Sequence, residues 1–156
     1  MASIPRGLAL AVCAFCLLLP VPAFSQQQEF EGNDYRVDGV EAYCSAEMIT
    51  RVVQESATLI ESPKSELIVI NGPVFDALPP GVRLFVYFHT CGMKVYHDAA
   101  YADVSAARAG MNGRWLSAAD VGLMCDTDAL TEAGWSEVPD AARCDAIKQT
   151  MRAALQ

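Results

Sequence analysis

The chain has 156 residues, 53% of them hydrophobic, and a formal net charge of −8. That length suits a single domain with a sizeable core. The acidity, with no basic cluster to offset it, repels phosphate backbones and anionic lipid, which argues against nucleic-acid and membrane-surface partners.

Residues 1–25 read as a cleavable export signal. Arg6 supplies the leading charge, Leu8 to Leu19 is an unbroken apolar run, and Pro20 and Pro22 end it. Ala23 and Ser25 then place small residues before a cut at Gln26. The run is about a dozen residues, short of the roughly 20 that span a bilayer. Cys13 and Cys16 follow the bulky Val12 and Phe15, which is unlike a lipid-attachment site, so both leave with the peptide. The expected product is a periplasmic or secreted protein with no membrane insertion after cleavage. It loses Arg6 but none of the 19 acidic residues, and is one unit more negative than the whole chain.

Residues 26–38 are polar and read as a flexible acidic lead-in to a single small globular domain, 39–156. Asp38-Gly-Val-Glu41 has capping-box form. Behind it Cys44, Met48, Ile49, Val52, Val53, Ala57 and Ile60 recur at helical spacing, predicting an N-terminal amphipathic helix that ends at Ser62-Pro63. Glu66 to Asn71 is a short β-branched run closed by Asn-Gly-Pro and predicts a buried strand. Val74 to Leu78 suits one helical turn. Val82 to His89 alternates, with Val82, Leu84, Val86 and Phe88 on one side, and predicts a second strand; Met93 to His97 predicts a third.

From Asp98 the pattern is helical. Asp98 caps 99–109 with Gly110 as the stop, and Asn112-Gly113 marks a turn. Ser117-Ala-Ala-Asp120 has capping-box form, and Asp126-Thr-Asp128 reads as a helix terminus. Asp140 caps a last helix carrying Cys144, Ile147, Met151 and Leu155 as a stripe. The expected class is α+β: an N-terminal amphipathic helix, two or three short central strands and a helical C-terminal half, stapled by disulfides.

Four cysteines remain after cleavage: Cys44, Cys91, Cys125 and Cys144. An even number in an oxidising compartment implies two disulfides, with three pairings open. Proximity favours Cys125–Cys144, leaving Cys44–Cys91. No Cys-x-x-Cys pair occurs, which removes the signatures of thioredoxin-like exchange, zinc ribbons and attached haem.

His89, Cys91, Met93 and His97 are the one concentration of soft ligands. Imidazole, thiolate and thioether together suit copper. A thiolate ligand, however, requires Cys91 to stay unpaired, so the reading is a disulfide beside two histidines, with metal binding at His89 and His97 as the alternative. A Cys91–His97 nucleophile–base pair fails on the same ground. The chain lacks His-Glu-x-x-His, Gly-x-Ser-x-Gly, phosphate-loop and dinucleotide patterns. No catalytic, cofactor-binding or metal residue is assigned on this reading, and a small hydrolase with an unrecognised site is a further alternative.

Trp115 and Trp135 are the candidates for contact with a partner, weighed against ordinary core anchoring. Asn112-Gly-Arg-Trp-Leu116, Cys125 and Cys144-Asp-Ala-Ile147 together are similar to periplasmic immunity proteins of type VI secretion systems. The similarity covers less than a third of the chain, and the later cysteines of such proteins are missing. It implies binding to a protein in the cell envelope. Chiefly because the chain carries no catalytic signature, the functional expectation is a protein-binding inhibitor, immunity or accessory factor.

Overall fold

The structure, a computed structural model, describes residues 27–156. The expected signal peptide lies outside the described residues. A four-stranded mixed sheet in the order β1-β4-β6-β5 is built from Gln28–Glu31 (β1), Ile49–Val53 (β4), Ile60–Lys64 (β5) and Leu67–Asn71 (β6). β4 and β6 run parallel, and both outer strands pair antiparallel. A separate two-stranded ribbon joins Arg36–Val37 (β2) to Val40–Glu41 (β3). Six helices follow: α1 Gly72–Asp76, α2 Pro80–Tyr96, α3 Ala99–Gly113, α4 Ala118–Met124, α5 Thr127–Glu132 and α6 Ala141–Ala154. The α+β class, the helical C-terminal half and the two staples are all present, with disulfides Cys44–Cys91 and Cys125–Cys144.

The first half of the domain differs from expectation in three places. The helix expected after Asp38 is instead strand: Ile49, Val52 and Val53 sit in β4, between β1 and β6. Their helical spacing is incidental, because β-branched residues also suit a pleated sheet paired on both edges. Asp38-Gly39 is no helix cap. With φ of 48° and 82° it forms the two-residue turn between β2 and β3, a conformation that Asp-Gly favours. The polar lead-in also contributes an ordered edge strand, in which Gln28 pairs with Val52 and Glu31 with Ile49.

A further difference decides where the site lies. Residues 82–89 and 93–97 are not strands; all but His97 belong to the 17-residue helix α2. Valine, leucine and phenylalanine filled both faces of the expected strand because α2 is the central helix, buried on nearly every side. Val82, Leu84, Phe85, Val86 and Tyr87 are all inaccessible to solvent. An apolar run this dense has no decisive period, and length separates the alternatives. Pro80, at the first helical position, starts the helix.

β6, α1 and the capped helices match their expectations. Asp98 accepts from Tyr101 N, Ser117 and Asp120 form a reciprocal capping box, and Asp140 accepts from Arg143 N. α3 runs past Gly110 to Gly113 and ends at Arg114 in a left-handed conformation. Helices α2 and α3 are joined by His97-Asp98 alone and pack closely. A Cβ on Gly92 would lie 2.9 Å from Ala102 Cα, so this crossing requires glycine.

Candidate functional site

Two surfaces on α2 and α3 stand out. The first is a groove of about 660 Å³ between the edge strand β5 and the C-terminal half of α2. Ile60 and Lys64 belong to its β5 wall, His89 and Met93 lie along α2, and His97 and Trp135 also line it. Lys94 lines it too, its ammonium donating to the carbonyls of Lys64 at 2.6 Å and Ser65 at 2.9 Å. Partial burial of that ammonium pulls its pKa below the ordinary lysine value, with Glu66 acting in the opposite sense.

At the groove floor the sequence places a polar cluster inside the core. His89 and Asp103 are both fully buried, with His89 Nδ1 2.8 Å from Asp103 Oδ1. Arg143 from α6 grips the same carboxylate with Nε 2.6 Å from Oδ2 and Nη2 3.1 Å from Oδ1. The second of those nitrogens also donates to the carbonyl of Glu137. A carboxylate held by a guanidinium only accepts, so the proton between His89 and Asp103 sits on Nδ1. The other ring nitrogen, Nε2, is buried without a protein partner. Trp135 meets the imidazole edge-on at 5.4 Å and Phe85 stacks on it at 6.4 Å, fixing the ring plane.

His89 and Met93 are one helical turn apart, the spacing of the two histidines in a His-Glu-x-x-His zinc helix. Thr90 stands where that motif carries its general base, with its hydroxyl bonded to the carbonyl of Val86, and a thioether replaces the second imidazole. Cys91 is held in its disulfide with Cys44, Cα–Cα 5.5 Å, so it supplies neither a nucleophile nor a thiolate ligand. His97 is the helix C-cap, exposed and in a left-handed conformation at φ 53°.

The second surface is the corner where α2 turns into α3. Tyr43 is 45% exposed, Val95 71%, Tyr96 48% and Tyr101 68%. Tyr96 and Tyr101 lie across the His97-Asp98 link with ring centroids 6.1 Å apart. Two adjoining hollows connect them, sharing Tyr96 and Ser105. One runs past the Cys44–Cys91 bridge to Tyr43, and the other reaches Arg108.

Neither tryptophan belongs to this corner. Trp135 is 2% exposed and forms part of the core and of the groove's lining. Trp115 is half-buried and stacks on Phe88 at 5.6 Å and 15°. Reading Val95-Tyr96 as strand hides Tyr96 from the sequence. Once α2 is a helix, exposed aromatics on both sides of a two-residue link are the available signal.

Compared with protein families, characterised proteins and solved structures, the chain matches none. The similarity to immunity proteins therefore rests on the residues quoted for it alone.

Proposed function

We propose that this is an exported periplasmic protein that binds a protein partner through the tyrosine corner, acting as an inhibitor, immunity or accessory factor. One observation carries the reading. Of the five large hydrophobic residues exposed among the described residues, four gather at this corner, and three of the four are tyrosines. Contiguous exposed apolar surface marks interaction sites, and tyrosine and arginine are the usual anchors of such interfaces. Arg108 at the edge of the corner supplies the second type. The two disulfides suit an exported domain. A basic partner is favoured by the net charge of −8, which steers association with opposite charge.

The test is capture from the native envelope with the mature protein and with Tyr96→Ala/Tyr101→Ala as paired baits. A partner retained by the first and lost by the second supports the proposal. Partners held equally by both baits overturn it.

A further inference from the structure

We propose that the groove between β5 and α2 is a Cu(I) site, with His89 Nε2 and Met93 Sδ as its protein ligands. The sequence alone argued against a metal here, because the copper pattern required a free Cys91. The structure removes that requirement. Cys91 is paired, and a different donor set is in place one turn along the helix.

Three features support the assignment. Among the described residues, the buried side-chain atoms without partners belong to Asn71, Arg83 and His89, and of these residues only His89 lines the groove. Its free atom is Nε2, the atom a metal takes when the opposite nitrogen is held by a carboxylate. Asp103, itself clamped by Arg143, provides that hold and so fixes the tautomer and the ring orientation. Second, Met93 follows at i+4, where side chains on a helix meet, and lines the same groove. Third, imidazole with thioether and no carboxylate in the ligand pair is a soft set, which selects Cu(I) over zinc, calcium or magnesium. The ion binds by accepting the Nε2 and Sδ lone pairs. Copper keeps its +1 charge on binding.

This inference is independent of the partner proposal and is tested without any partner. The disulfide-intact mature protein is titrated anaerobically with Cu(I) against a colorimetric chelator. One equivalent of Cu(I) is expected to bind. X-ray absorption of the complex should show both nitrogen and sulfur scatterers. Met93→Leu preserves the shape of a half-buried side chain, and should weaken binding by at least the roughly 10–100-fold that changes around a metal's ligands cost. His89→Ala should abolish it. If His89→Ala fails to fold, Met93→Leu and the sulfur scatterer decide. Absence of Cu(I) binding by the wild type, or affinity unchanged in Met93→Leu, overturns the proposal. So does binding lost in His97→Ala alone.

Discussion

The Asp103 cluster and the tyrosine corner occupy the same two helices and are built in opposite ways. At the cluster, a carboxylate, an imidazole and a guanidinium from α3, α2 and α6 are brought together in the core, and of their buried polar atoms only His89 Nε2 is without a protein partner. At the corner, only a few residues away along each helix, aromatic rings are left in solvent. The first arrangement fixes how three helices meet and holds one nitrogen in a set direction. The second adds almost nothing to the fold. Polar groups inside and apolar groups outside both run against the usual partition, so each calls for a use beyond folding. The difference lies in what a substitution does: at the cluster it should cost stability, and at the corner it should cost binding.

The sharpest way to break that contrast is Asp103→Ala. It leaves the Arg143 charge and the His89 ring without their shared partner, and removing one member of a buried ion pair costs about 3–5 kcal/mol. Urea unfolding of the oxidised protein reads this directly, and a loss below about 1 kcal/mol would mean that the cluster does not hold the helices together. Opening the Cys125–Cys144 bridge, 19 residues apart, with a double alanine variant should cost about 3 kcal/mol. That bridge ties the end of α4 to α6, the helix that carries Arg143. Partial loss of the cluster is therefore expected as well, visible as a shifted His89 ring resonance.

At the corner, Tyr96→Ala and Tyr101→Ala should each leave stability within about 0.5 kcal/mol, as exposed positions do. Each should weaken partner binding by about 2 kcal/mol, the scale of an aromatic anchor. A large loss of stability at either position would erase the distinction between the two regions.

The smallest effect concerns pH. Burial raises the phenol pKa of Tyr35, with Asp76 adding to it, and burial likewise raises Tyr87, opposed by the 2.8 Å hydrogen bond to Thr50. A raised folded pKa means that the native state keeps protons the unfolded chain gives up near pH 10. The related stability is therefore complete below about pH 10 and is lost as pH rises beyond it. Urea midpoints measured from about pH 9 to pH 11 should fall, and Tyr87→Phe should flatten that fall.

How much of this was legible in the sequence follows from the range of each interaction. The caps at Asp98, Ser117 and Asp140 were readable because each side chain bonds a backbone N–H three residues on. The strand at Leu67–Asn71 was readable from a dense β-branched run between breakers. The helix expected from the Asp38 cap to Ser62-Pro63 failed because β4 is fixed by partners far along the chain, Thr50 against Ile68 and Val52 against Ile70, which no local period reveals. The residues 82–89 failed for the opposite reason, since a helix buried all round satisfies the alternation of a strand. The cluster was beyond reach for similar reasons. His89 and Asp103 are 14 residues apart and Arg143 another 40, and only the folded helices bring them together. Disulfide pairing came out as proximity suggested because Cys125 and Cys144 flank one short helical segment.

The most direct test of the central claim is site-specific photocrosslinking in the periplasm. A photoreactive phenylalanine analogue is placed at Tyr101 in the corner, or at the exposed Glu61 on the groove wall, in otherwise wild-type protein. The account predicts a discrete adduct with one envelope protein from position 101 and none from position 61. An adduct from position 61 with none from 101, or no adduct from either, would contradict it.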